Sequence, residues 1–299
     1  MTKKLLAGAL GLMLLGMPMA ANAVLAADVQ VAPIPKNMPK DLFNDAPLAP
    51  TKVFDDLYCI GSRSVVAWAL QTSDGIILID AMWDNHDAQN MDYGMRMLGL
   101  DPKDVKVVLI TQGHGDHYGG AQYFKDTYGA KIYMSQPDYQ EMMEGTAGAN
   151  GPRSPKAQID GYLTGGQEFK LGDTVVTIAS TPGHSPGSLS FFYPVHQDGQ
   201  EFMVAQWGGK GLPQTLKDKK EYRQSIETFA DYAEKMHADV AVFGHLFDDD
   251  GFAKLNAAPE HTKGQANPFY LGEEGMKDYI QYLRDFADKG IKAQEEAGN

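Results

Sequence analysis

The chain has a single cysteine, Cys59, among its 299 residues. One thiol makes no intrachain disulfide and no cysteine-rich metal site, so any metal must be held by His, Asp, Glu or amide oxygen. Basic residues are in deficit: 26 Lys+Arg stand against 39 Asp+Glu, a formal charge of −13 with neutral His and a pI near 5.0. A surface of that sign is not built to neutralise phosphates, which argues against nucleic acid as a partner. Long hydrophobic runs are missing as well. The apolar stretch at 5–17 is too short to span a bilayer, and no later segment is long and apolar enough to anchor the chain. What is present, 43% apolar and 22% charged residues with 14 Tyr and 13 Phe, is the composition of a globular protein with a sizeable core, most simply one large domain.

Lys3 and Lys4 precede the apolar stretch, and small residues follow it around Ala21-Asn22-Ala23. Basic flank, short apolar centre and A-x-A site together read as a cleavable export signal over residues 1–23, with an alternative cleavage after residue 26. An apolar core helix would not require these three features to coincide. Either cleavage removes two Lys, leaves a charge near −15 and sends the mature protein to the periplasm or the medium. Five prolines fall within 28–51, so residues 24–56 are expected to form an extended arm. Residues 57–299 then make a single domain.

Short β-rich runs at 57–60, 64–71 and 76–79 predict an antiparallel meander with a turn at Asp74-Gly75. Helix and strand alternate next: helix 87–98, buried strand 105–110, helix 119–128, strand 131–134. A Gly- and Pro-rich loop is expected around 145–166, followed by strands at 173–179, 188–193 and 202–205. An amphipathic helix at 219–236, a strand at 239–243 and a terminal helix at 273–295 complete the chain.

The densest chemistry lies just after the apolar strand 105–110, in Thr111-Gln112-Gly113-His114-Gly115-Asp116-His117-Tyr118-Gly119-Gly120. Gly113 and Gly115 are expected to make tight turns that let Gln112, His114, Asp116 and His117 converge. Two His on a short Gly-rich loop can also be a hydrogen-bonded cap. Metal chemistry is favoured because His184, in the Pro/Gly-braced turn 181–187, and His245, at the end of strand 239–243, also sit at strand ends. Three separate strand ends each offer a histidine to one sheet edge.

These residues resemble the metallo-β-lactamase-fold hydrolases, whose motif H-x-H-x-D-H is followed by single histidines; here it reads Q-x-H-x-D-H. The resemblance extends over 75–80, 107–120, Gly129-Ala130, 181–190 and Asn267-Pro268-Phe269. It is most similar to the third subclass of true metallo-β-lactamases. The resemblance implies a four-layer αββα sandwich and two Zn2+ sites. Gln112, His114 and His184 would hold the first zinc, and Asp116, His117 and His245 the second. It also implies a metal-held water lowered toward neutrality in pKa, with Asp116 orienting the resulting hydroxide. The expected activity is opening of a cyclic amide, a β-lactam first, by an exported monomer that confers antibiotic resistance. Hydrolysis of a lactone or other ester is the alternative, and a non-catalytic exported zinc-binding protein a second one.

Two departures matter. Gln112 replaces the usual first His, and a neutral amide oxygen is a poorer zinc donor, so the first site is expected to be weaker and to fill second. The other reading of Gln112 is an amide that only braces the ligands. After strand 202–205, where several relatives place a metal-bridging Asp, this chain has Gln206-Trp207-Gly208-Gly209 and no carboxylate before Pro213. Trp207 and Lys210 are candidates to line a substrate pocket. Asp80, after an apolar strand, resembles the family's structural Asp that braces the metal loop by hydrogen bonding. His86, His196, His237 and His261 have no partners at ligand spacing; Trp83 and His86, in the loop after a strand, read as surface with a pocket wall as the alternative, and Cys59 as a buried small hydrophobe. Asp248-Asp249-Asp250 is expected to cap a short helix.

Overall fold

Strand alternation decides the architecture. In the computed structural model, which describes residues 39–145 and 153–298, β3 (Val66–Thr72) turns Val66, Trp68 and Leu70 to one side and Ala67 and Ala69 to the other. The large set meets a second sheet, and the small set lies beneath helices. That pattern repeats across the molecule and yields four layers, helix–sheet–sheet–helix. The export signal, residues 24–38 of the expected arm and residues 146–152 of the expected loop lie outside the described residues.

The first sheet runs in the order β1 (Thr51–Lys52), β2 (Leu57–Gly61), β3, β4 (Gly75–Ile79), β5 (Val105–Leu109), β6 (Lys131–Ser135) and β7 (Gly161–Leu163). It is antiparallel as far as β4 and parallel from β4 to β7. The second sheet has the order β12 (Val240–Val242), β11 (Gln200–Gln206), β10 (Leu189–Gln197), β9 (Thr174–Ser180) and β8 (Glu168–Leu171). Only its β11–β12 pair is parallel.

Between the sheets Leu57, Trp68, Ile77 and Leu109 pack against Ile178, Phe191, Val204 and Val242. Outside the first sheet, α1 (Asn85–Met97) and α3 (Ala121–Tyr128) bring Met91, Met95 and Phe124 onto Ala67, Ala69, Leu78 and Val108. Outside the second, α5 (Leu216–Lys235) and α7 (Gly272–Glu296) bring Ile226, Phe229, Ile280 and Leu283 onto Ala179, Phe192 and Ala241. Each large side chain so buried contributes roughly 1.5–3 kcal/mol. No helix among the described residues is long and apolar enough to cross a membrane.

The expected αββα sandwich is therefore present, with local differences. The motif segment is not all loop: Gly115–Tyr118 forms a one-turn helix, α2, with His114 at its N-cap position. The helix expected from Gly119 begins only at Ala121. The loop expected at 145–166 ends in β7, an edge strand paired with β6. Strand β1, helix α4 (Gln136–Glu144) and strand β8 were not anticipated either. Helix α6 (Gly251–Ala257) follows the acidic triplet, but its N-cap Asp250 makes no side-chain cap bond. Asp248 and Asp249 instead face Lys210, which corrects the capping expectation.

Candidate metal centre

Parallel pairing brings the first elements to one edge. Ile79 of β4 lies opposite Leu109 of β5, so Asp80 and the 110–119 segment leave the sheet side by side. Asp80 takes a left-handed backbone (φ 63°), a conformation Asp tolerates better than most residues. Its buried carboxylate accepts hydrogen bonds from Thr111 N (2.8 Å), Thr111 Oγ1 (2.8 Å) and His117 Nδ1 (2.8 Å). Just beyond α2 the chain presses on the β4–α1 turn. A Cβ on Gly119 would stand 1.8 Å from the Trp83 carbonyl oxygen, so only glycine fits there. Gly113 and Gly115 turn the chain without a positive φ. What Gly113 permits is contact with α4, where an added Cβ would come within 3.0 Å of Asp138 Cβ.

His245 follows β12 and donates from Nδ1 to the Ser64 carbonyl (2.8 Å). With Nδ1 of His117 and of His245 both engaged, each ring turns Nε2 into the site as the atom that would ligate. The two Nε2 atoms are 3.3 Å apart, and Asp116 Oδ2 lies 3.6 Å from the first and 3.4 Å from the second. A tetrahedral zinc with ligands at about 2.0–2.1 Å separates its donors by about 3.3–3.4 Å, so this triangle fits the ion. Charge fits as well. Burial acts to lower the His117 pKa, but the Asp116 and Asp80 carboxylates outweigh it and hold it near 9, so the metal-free ring is a cation whose Nε2 proton a metal would have to displace. Burial likewise raises Asp116, and the imidazoles of His117, His245 and His114 more than reverse that.

The other three residues form a looser set. The His114 and His184 rings meet edge to face with centroids 4.7 Å apart. His184 Nδ1 is 2.5 Å from the Gly211 carbonyl oxygen, which leaves its Nε2 as the available donor. Burial lowers His114 to about 4 and His184 to about 3, so both rings are neutral and able to ligate. The Gln112 amide nitrogen lies 2.9 Å from His117 Nε2. Its Oε1 is buried with no hydrogen-bond partner. An orphaned buried acceptor beside histidine nitrogens suits a metal, or an amide turned so that oxygen and nitrogen exchange places.

Trp207 and Lys210 line the same cleft as Gln112, His117 and His245. Trp207 is nevertheless largely a core residue, packed on Tyr222 and Phe229 and donating from Nε1 to Tyr222 Oη (3.2 Å). The Lys210 ammonium is engaged by Asp249 (2.5 Å) and lies over the Tyr282 ring. Gln206 accepts from Tyr193 Oη (3.0 Å). Asp84, His86 and Asp87 form a second group with donor atoms within 4.8 Å. Arg153 already bridges its two carboxylates, at 3.1 and 3.7 Å, and Asp84 caps α1.

Sequence reasoning missed the acceptors that orient the rings, the Ser64 and Gly211 carbonyls, because a backbone carbonyl carries no residue signature. It also missed Asp138, which joins the motif loop to the His184 loop. Burial lifts that carboxyl to about 7 despite the hydrogen bonds it receives from Ser185 and Gly187. Its one signal in the sequence is the helix-start spacing Ser135-x-x-Asp138.

A four-layer sandwich with Asp and His gathered at one sheet edge defines a metallo-hydrolase class, and comparison with known proteins agrees. Residues 60–198 match the profile of the metallo-beta-lactamase superfamily. It is 30% identical over 180 residues to N-acyl homoserine lactonase AttM of Agrobacterium fabrum, covering 56% of this chain and 66% of the relative. It is 31% identical over 90 residues to hydroxyacylglutathione hydrolase of Brucella ovis, covering 29% of this chain and 28% of that one. The chain thus spans less than two thirds of the length of these curated relatives. Among solved structures, BJP-1, a subclass B3 metallo-beta-lactamase of Bradyrhizobium japonicum, matches with a TM-score of 0.73 at 26% identity, over 87% of this chain and 99% of that one.

Proposed function

We propose that the mature protein is an exported, zinc-dependent hydrolase that opens the cyclic amide of a β-lactam, acting as a monomer on a small molecule. The observation that carries this reading is the Asp116, His117 and His245 triangle, with edges of 3.3–3.6 Å, in a fold shared with a subclass B3 enzyme. Gln112, His114 and His184 would hold a first zinc and the triangle a second. Bound there, zinc supplies Lewis acidity toward the carbonyl and makes water acidic enough to attack near neutral pH. The protein's own contribution is orientation. Asp80 and the Ser64 carbonyl keep His117 and His245 in the tautomer that frees Nε2. Asp116, kept ionised by its imidazole neighbours, accepts a proton of the attacking water and aims its lone pair at the substrate. Trp207 offers an apolar wall, while Lys210 is neutralised by Asp249 unless substrate draws it away.

A lactone is the second reading, favoured by the 30% identity to AttM. The test is turnover of nitrocefin, an N-acyl homoserine lactone and a glutathione thioester by purified mature protein, with metal content measured in parallel. Chelation should abolish nitrocefin hydrolysis and zinc return should restore it. Chelator-sensitive lactone cleavage with inert nitrocefin selects the second reading, and zinc binding without any turnover selects a non-catalytic zinc protein. Cell fractionation tests export, and gel filtration the monomer.

A further inference from the structure

Asp138 is 1% exposed, sits in the first turn of α4 and has none of the usual duties of an acid at a helix start. The N-cap role is filled by Ser135, whose Oγ accepts from Asp138 N (3.2 Å). In a capping box the acid at this position would reach back to the cap's own N–H. Here the carboxylate turns the other way. Oδ1 accepts from Gly187 N (2.7 Å), Oδ2 accepts from Ser185 Oγ (2.8 Å), and the Gly113 N–H also hydrogen-bonds to it.

These donors come from two loops on two different sheets. Gly113 lies between Gln112 and His114, after β5 of the first sheet, and Ser185 is next to His184, between β9 and β10 of the second. The loops meet directly once more, through Leu189 N to the Thr111 carbonyl (2.8 Å). Glycine makes both approaches possible. A Cβ on Gly187 would stand 2.0 Å from Ser135 Oγ, and one on Gly113 would crowd Asp138. Ser188 Oγ closes the network, 2.6 Å from Ser185 Oγ.

We infer that Asp138 is a positioning residue that straps the Gln112–His114 loop to the His184 loop and so sets the geometry of the first metal set alone. The inference rests on reading Gln112, His114 and His184 as metal ligands. The second set is held by other groups, Asp80 and the Ser64 carbonyl. Removing the strap therefore acts on one set, whereas general loss of stability acts on both.

The experiment is zinc titration of the metal-free protein, using a chromophoric competitor for affinity and ¹⁵N-histidine NMR to identify the rings that respond. In the wild type, His117 and His245 respond to the first equivalent and His114 and His184 to the second. D138N keeps the shape but presents an NH2 to one of three donors. Its second equivalent is expected to bind 10–100-fold more weakly, with the first unchanged within threefold. Far-UV circular dichroism and a thermal melt check that D138N folds. S185A, which removes one hydrogen bond and leaves the carboxylate, should show the same selectivity at three- to tenfold and carries the test if D138N does not fold. Wild-type affinity at His114 and His184 in folded D138N overturns the strap and leaves the metal reading standing. Equal weakening of both sets in a folded variant overturns it as well. If wild-type His114 and His184 never respond to zinc, the metal reading of that set fails and the strap fails with it.

Discussion

Replacing Asp80 with Asn leaves shape and volume nearly unchanged, and Asn also tolerates the left-handed backbone at this position. What changes is the proton inventory. The remaining amide oxygen can keep the bond from Thr111 N, but the NH2 then faces His117 Nδ1, which now carries a proton. The pair can bond only if the ring moves that proton to Nε2. Nε2 is the atom 3.3 Å from His245 Nε2 and 3.6 Å from Asp116, and once protonated it cannot ligate. Loss of such an orienting partner costs 10–100-fold in metal affinity, about 1.4–2.7 kcal/mol. Folding of the metal-free chain should lose about 1.5–3 kcal/mol, the worth of one hydrogen bond to a buried charge. Zinc competition gives the first number, urea unfolding of the chelated protein the second, and ¹⁵N–¹H correlation spectra the tautomer of His117. Wild-type zinc affinity in D80N with the proton on Nε2 would refute the argument, because the ring would then bind metal without the lone pair assigned to it.

Q112H exchanges an amide for an imidazole and should raise zinc affinity at the His114 and His184 set at least tenfold, read by metal titration of the purified variant. G119A forces a Cβ onto the Trp83 carbonyl and should cost roughly 1–3 kcal/mol or more, measured by the urea midpoint. Glu227 is held down to about 2 by hydrogen bonds from Arg284 and then Arg223, which outweigh its burial. Its folded pKa lies below the unfolded value, so its stabilisation is complete above about pH 4.5 and fades as pH falls toward 2. The difference in Tm between metal-free wild type and E227Q should therefore be constant above pH 5 and close below it; a gap independent of pH counts against the ion pairs.

Apolar runs and helical periods were enough to place most strands and helices, while their assembly into a sandwich followed from the family resemblance. Alternation in the 64–71 run sorts Trp68 and Leu70 from Ala67 and Ala69, and that division separates the face that meets the other sheet from the face that meets helices. The ends of elements were harder to read. α2 is a single turn, and β7 and β8 span three and four residues, lengths at which pairing partners outweigh local preference. α4 follows its strand without a linker: the Ser135 that ends β6 also caps the helix.

The donor atoms of the candidate centre belong to the sequence itself, because Gln112, His114, Asp116, His117, His184 and His245 are chemically distinctive and fall at strand ends. Their orientation belongs to the folded molecule. His117 meets Asp80 across 37 residues, His184 meets the Gly211 carbonyl across 27, and His245 meets the Ser64 carbonyl across 181. Each bond decides which ring nitrogen keeps its proton, and two of the three acceptors are backbone atoms that every residue type carries. Parallel pairing of β4 with β5 brings Asp80 to His117, neighbouring loops of the second sheet bring Gly211 to His184, and face-to-face packing of the two sheets brings Ser64 to His245.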